Sequence, residues 1–287
     1  MSEQNRASGL PEPPKPPNRF LAAIKDDVNK VGLAAIAAAW AASGMLAVPF
    51  VGLAAEAAYL LFAPESSWFR KRLHARQQAA EGFYRARLQE AVLPRAESQT
   101  RRGYEAMLRA RETIGESMDP KEATSREMLR QLDYMLEKYL LFTHQIVQYH
   151  RYLAHLHGDR SGRDLAVSEL ATRLTQLCDD QLERLNNQLR RANDDRTRSV
   201  VQQNIDVLQK KRALIERVAT MAQNLTLHLQ LFRNSFDLVG GLVQTRPPDE
   251  VLQVINDAVG KAELTSALNE QSSQIQEEIR QLRLEVL

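Results

Sequence analysis

MLRQLDYMLEKYLLFTHQIVQYHRYLAHL, residues 128–156, is the stretch from which the fold is read. Met128, Leu132, Met135, Tyr139, Phe142, Ile146, Tyr149, Leu153 and Leu156 alternate steps of four and three along it. An apolar residue every 3.5 positions or so on average lays a continuous stripe down one side of a helix, the seam of a coiled coil. Asp119-Pro120 ahead of it pairs a capping carboxylate with a proline suited to the first helical position. Gly158-Asp159 and Ser161-Gly162 behind it mark a short loop.

The same periodicity continues on both sides. Leu170, Leu174, Cys178, Leu182, Leu185 and Leu189 predict a helix from about Asp164, and Asn193-Asp194-Asp195 a turn or a polar patch after it. From Val201 one stripe runs through Ile205, Leu208, Ile215, Ala219, Ala222, Leu229, Phe232 and Phe236. Leu214, Val218, Met221 and Leu225 form a second stripe beside it, so that helix should meet more than one neighbour before Gly240-Gly241 ends it. Upstream, Ser66 or Ser67 caps a helix toward Val92, Pro94 interrupts it, and a further piece stops near Glu116. Downstream, Arg246-Pro247-Pro248-Asp249 is a hinge, followed by a short helix through Val259 and a last one of about three heptads. Long helices on short connections pack as antiparallel neighbours. The fold class expected is therefore all-α: an N-terminal hydrophobic helical hairpin followed by an elongated antiparallel helical bundle or coiled coil.

Composition agrees. Among 287 residues, 12 Gly and 11 Pro are too few to punctuate a sandwich or barrel every 8–12 residues or so. One cysteine excludes an internal disulfide framework and any multi-cysteine metal site. A net charge of +2 makes no case for nucleic acid. The arginines between Arg70 and Arg111 are interleaved with Glu81, Glu90, Glu97 and Glu105, which reads as a solvated helix face.

Residues 1–18, with Pro11, Pro13, Pro14, Pro16 and Pro17, read as a disordered proline-rich arm with no secretory-signal pattern. The segment 19–65 is different in kind. Phe20, Leu21, Ile24, Val28 and Val31 recur at helical spacing opposite Lys25, Asp26, Asp27 and Lys30, an interfacial lead-in. From Val31 to Ala63 the chain then reads VGLAAIAAAWAASGMLAVPFVGLAAEAAYLLFA, with Glu56 its only charge. As one helix this run would measure about 50 Å. A membrane core is about 30 Å thick and takes about 20 residues per span. The run is too long for one upright crossing and too short for two, leaving a tilted or kinked span or a one-sided hairpin.

The hairpin fits better. A turn at Ser43-Gly44 sets Glu56 level with Val31 and beside Lys30, near the interface; a turn at Pro49 would strand Glu56 part-way down a leg. Gly32, Gly44, Gly52 and the alanines permit close leg packing. Trp40 suits a deeper position; Tyr59, Trp68 and Phe69 suit the interfacial belt. Arg70, Lys71, Arg72 and Arg76 form a basic cluster for anionic headgroups, and with Arg19, Lys25 and Lys30 they place both ends of the run on the cytoplasmic side. The organisation that follows is arm 1–18, lead-in and membrane hairpin 19–65, juxtamembrane helices 66–118, long-helix bundle 119–241, and C-terminal helices or a short coiled coil 242–287.

Chemistry is sparse. His144, His150, His155 and His157 cluster, yet no two are three or four apart as a helical metal site requires, so they read as solvated or tyrosine-packed. Cys178 lies within a leucine stripe and reads as a small buried hydrophobe. Val259-Gly260-Lys261-Ala262 lacks the upstream glycine and the following hydroxyl of a phosphate loop. No catalytic residue, cofactor site or metal site is assigned, and neither nucleic acid nor a small-molecule substrate is expected. In general layout the chain resembles bacterial membrane coiled-coil proteins, without a motif specific to any family. The expected function is a non-enzymatic scaffold or assembly protein of the cytoplasmic membrane, whose partners are the lipid bilayer and helices, its own copies included, that meet its apolar stripes. The alternative is a pore-forming toxin or secreted translocator that hides the hairpin in its bundle until insertion.

Overall fold

The structure, a computed structural model, describes residues 66–119, 122–158 and 165–263, together with residues 10–14, 34, 38, 271, 273–275 and 277–279. Among the described residues there are helices and no strands, so the chain is all-α. It divides into two compact units, Met1–Ala91 and Val92–Leu287.

The first unit contributes all but the last residue of helix α1, Ser67–Val92. Its start is capped as the sequence predicts, with the Phe69 amide donating to Ser66 Oγ at 3.2 Å. Phe69, Tyr84 and Leu88 are buried. Phe69, three residues into the helix from Ser66, is among the enclosed side chains.

The second unit opens with a 3₁₀ turn, Leu93–Arg95, at the predicted proline break. Helices α2 (Ser98–Glu116), α3 (Ala123–His157), α4 (Val167–Arg191), α5 (Asp195–Leu242) and α6 (Pro248–Glu263) follow. Several ends differ from the sequence reading. Helix α3 begins at Ala123 with Glu122 as its N-cap, because the Glu122 amide closes a turn onto the Asp119 carbonyl first. Helix α4 starts at Val167, beyond Asp164. Helix α5 continues through Gly240 and Gly241 to Leu242. Two ends have an evident local cause. Gly158 closes α3 at φ +75°, a left-handed conformation that glycine adopts without a side-chain penalty. Asp194 opens α5 by accepting the Thr197 amide at 2.7 Å.

Residue pairs give the helix directions. Helix α2 runs antiparallel to α3: the Tyr139 hydroxyl donates to the Thr100 carbonyl near one end, and Arg111 meets Asp133 further along. Helix α5 is antiparallel to α3, with Phe142 stacked on Phe232 at 5.7 Å and Thr124 bonded to Asp249 just past the end of α5. It is antiparallel to α4 as well, since Arg212 donates to Asp179 at 2.6 Å and Arg198 to the Ala192 carbonyl. Helices α3 and α4 therefore run in the same sense, one after the other along α5.

This corrects the expectation that the short connection makes α3 and α4 antiparallel. The Leu165 carbonyl, just before α4, is 2.9 Å from His150, seven residues short of the end of α3. The start of α4 thus lies beside α3 and not beyond its end. Helix α5 supplies the room, because its 48 residues extend about 70 Å at 1.5 Å per residue.

The core is built from the stripes the sequence displays. Helix α3 contacts α2, α4, α5 and α6. Met128, Leu132, Met135, Tyr139, Phe142, Tyr149 and Leu153 are buried, while Ile146 and Leu156 are half-buried. Leu136, Leu140, Thr143, His144 and Tyr152 are buried too, on a face wider than a two-stranded seam. On α5 both predicted stripes are buried apart from half-buried Ala219. On α4 burial fades along the helix: Leu170, Leu174 and Cys178 are enclosed, and Leu182, Leu185 and Leu189 only half so. At the C-terminus Ile275 is buried and Arg217 of α5 grips the Glu278 carboxylate. The described part of the predicted C-terminal zipper thus packs on its own chain.

Candidate functional site

Of the residues singled out by sequence, Val31, Trp40, Ser43, Gly44, Pro49, Glu56 and Tyr59 lie outside the described residues. Ala34 and Ala38, within the same run, are helical and exposed. Arg70, Lys71, Arg72 and Arg76 fall in α1, and the Arg76 side chain is exposed. The α3 stripe is covered by helices of its own chain, as described above. Among the described residues no helix is long and apolar enough to cross a membrane.

The structure brings together a different set. A cleft of about 1240 Å³ opens where α2 and α4 begin beside the middle of α3 and α5. One part of its wall is apolar, with Ile146, Val147, Ala171, Ala222 and Leu229. Another carries hydroxyls and amides, among them Thr100, Thr143, Thr172, Thr220, Gln176 and Gln223. Arg95, His150, Glu97 and Glu216 supply the ionisable groups. Glu216 is already paired with Arg212 at 2.9 Å, and His150 Nε2 donates to the Leu165 carbonyl.

Helix directions explain why two N-termini lie along this stretch of α3. From the level of Tyr139, α2 runs back toward the start of α3; from the level of His150, α4 runs the other way. Neither first turn is capped by a side chain. The N-cap of α2 is Glu97 and that of α4 is Ala166, and neither makes a capping bond. The first intrahelical bonds at each end are Arg101 to Glu97 and Leu170 to Ala166. The amides of residues 98–100 and 167–169 thus stand ahead of the helical ladders, with the positive ends of two helix dipoles.

Charge in this region is felt by a neighbour. His144 is 6% exposed. Burial, with the cations Arg151 and Arg95, lowers its pKa to about 4. Gln148 Nε2 lies 3.3 Å from His144 Nε2 and donates to it, which suits the neutral ring. Of the two environments the sequence suggests for this histidine, solvated or tyrosine-packed, its burial excludes the solvated one.

Other chemical groups are dispersed. Cys178 lies outside the cleft lining, 3% exposed, with its thiol pKa raised by burial. His228 packs edge-on to Phe142, and burial lowers its pKa. Among the described residues no three His, Cys, Asp or Glu side chains are grouped to hold a metal ion. The cleft was not foreseen in the sequence. Its one advance signal is negative: Ala166 stands where a capping Ser, Thr, Asp or Asn is the common choice. No protein-family model matches the chain, and no curated protein or solved structure does so either.

Proposed function

We propose that the chain is a non-enzymatic scaffold, tethered to a membrane by the run Val31–Ala63 with its helical body on the cytoplasmic face. The observation that carries this reading is the run itself. Its 33 residues hold one charge, Glu56, and basic residues flank both ends. Burying such a segment in lipid is favourable, and the flanking cations fix its orientation. Two further points support it. Ala34 and Ala38, the part of the run that is described, expose apolar surface on a helix. The helical body buries its own apolar stripes, as an independently folding domain would.

The anchor is read as a one-sided hairpin turning at Ser43-Gly44, for the reasons of length and charge given above. Self-association is assigned to α4 and α5 beyond Cys178, since the α3 stripe is spent inside the chain. There Leu182, Leu185 and Leu189 are half-buried, and Val200 and Val207 are exposed.

Fractionation is the direct test. The full-length protein should resist carbonate extraction of its own membranes and require detergent. Single cysteines placed through residues 30–65, with Cys178 replaced, should label from the cytoplasmic side only. Labelling of Gly44→Cys from the far side would replace the hairpin with spanning helices. A protein that purifies without detergent and inserts later into vesicles would make it a pore former or translocator, and one that ignores vesicles altogether ends the membrane reading.

A further inference from the structure

Building on the self-association assigned to the tip of α4 and α5, we propose that copies of this chain stack face to back there, the basic face of one on the acidic face of the next. A shallow groove of about 340 Å³ between the two helices is lined by Gln181, Arg184, Leu185 and Gln188 of α4 and Asn204 of α5. It fixes which sides of the helices form one face. On α4, Leu177, Arg184 and Arg191 recur every seven residues and so share a side. On α5, Val200, Val207 and Lys211 stand four before, three after and seven after Asn204, on the same side as it. This face thus displays Leu177, Val200 and Val207, at 50%, 52% and 41% exposure, beside the cations Arg184, Arg191 and Lys211. Exposed apolar side chains gathered within a polar rim mark an interaction surface.

The opposite face has the other sign. Asp179, Glu183, Asn186 and Arg190 follow one another along α4 at steps of four and three. Gln202, Asp206 and Gln209 do the same on α5, with the Gln202 amide donating to Asp206 at 2.9 Å. Arg212 is engaged by Asp179 at 2.6 Å, which leaves Glu183 and Asp206 exposed to an incoming cation and Arg190 to oppose it. Asp180 and Lys210 fall on the outer edges of the pair, away from both faces. Two basic faces repel each other, whereas a basic face on an acidic one attracts. The two patches differ and lie on opposite sides of the tip, so the contact is heterologous. Each copy then keeps one patch for the next, and the row stays open, as an assembly scaffold requires.

Sedimentation velocity of the full-length protein in mild detergent reads the outcome. Its mass should rise with protein concentration and fall on going from about 0.05 M to about 1 M salt. Arg184→Glu with Arg191→Glu makes both faces acidic, and Glu183→Lys with Asp206→Lys makes both basic. Either double variant alone should associate about tenfold or more weakly than the parent. An equal mixture of the two should recover assembly, because each supplies the face the other lacks. All four side chains are exposed, so the replacements spare the core. Association that survives either reversal, or that the mixture fails to restore, overturns the stacking and leaves self-association in place. A parent that stays monomeric ends both. A monomeric parent whose binding to phosphatidylglycerol vesicles falls with Arg184→Glu and Arg191→Glu gives the basic face to lipid instead.

Discussion

The hydroxyl of Tyr139 and the backbone of Gly103 are in such close approach that a Cβ on the glycine would stand 2.7 Å from the phenolic oxygen. That oxygen donates to the Thr100 carbonyl at 3.0 Å, and the ring lies 6.0 Å from that of Tyr104. Burial pushes the Tyr139 pKa up to about 12, so the group remains a donor across the ordinary pH range. The start of α2 is therefore held on α3 by one hydrogen bond that a methyl group would displace. Gly103→Ala should destabilise the protein by about 1–3 kcal/mol, the usual cost of overpacking, read by urea unfolding. The cost should shrink in a Tyr139→Phe background, where the blocking oxygen is gone. An equal cost in both backgrounds would mean that α2 accommodates the methyl by shifting.

How far the fold was legible follows from what each residue reports. Periodic apolar positions such as Leu132 and Leu225 announce helices because a 3.6-residue turn repeats them on one face. Pro94 and Gly158 announce ends because each forbids or permits particular backbone angles. None of these residues carries the relative direction of α3 and α4. That depends on His150 meeting Leu165, and loop length alone is silent about it. The cleft was hidden for the same reason. It exists because α2 starts near the level of Tyr139 and α4 near that of His150, and no single residue carries that placement. Burial of His144 was only half legible, since the sequence left it either solvated or packed on tyrosine, and the apolar seam does not include its face.

That histidine gives the stability a direction with pH. Folded, His144 has its pKa lowered to about 4; an unfolded histidine titrates near 6.5. Between those values the unfolded chain binds more protons, so stability rises with pH across the window. It should be fully present above about pH 6.5 and fall as the pH drops toward 4, by about 2–3 kcal/mol. His228, also lowered by burial, contributes with the same sign. His144→Gln should flatten the dependence between pH 4 and 6.5 while leaving a smaller slope from His228. A variant as steep as the parent in urea titrations would remove His144 from the account.

Arg111 and Asp133 tie α2 to α3 through two bonds, Nε to Oδ1 at 2.8 Å and Nη2 to Oδ2 at 3.2 Å. Both side chains retain some solvent contact, at 30% and 22%, so water screens the pair. A double-mutant cycle with Arg111→Ala and Asp133→Ala should give a coupling of about 0.5–1.5 kcal/mol, reduced in 1 M salt. Arg111→Lys should recover less than half of it, because an ammonium cannot reproduce the planar fork. Full recovery by lysine would reduce the pair to a point-charge attraction.

Cys178 sits where enclosure along α4 gives way, between buried Leu174 and half-buried Leu182, and so reports how firmly the α4–α5 pair is closed. Two effects protect it. Its 3% exposure denies access to a reagent, and burial raises its pKa, reducing the thiolate that reacts. Lys211 acts in the opposite direction by favouring the thiolate, but more weakly than burial opposes it. A disulfide reagent at pH 8 should therefore label the native protein about a hundredfold more slowly than the urea-unfolded chain, the ratio for an opening that costs about 3 kcal/mol. Leu174→Ala, next to Cys178 on the same stripe, should speed native labelling by loosening the packing around it. Leu238→Ala, an exposed position near the far end of α5, should not. Native labelling at the unfolded rate would mean that α4 and α5 part at Cys178 in solution, and the half-buried leucines beyond it would then be open to water.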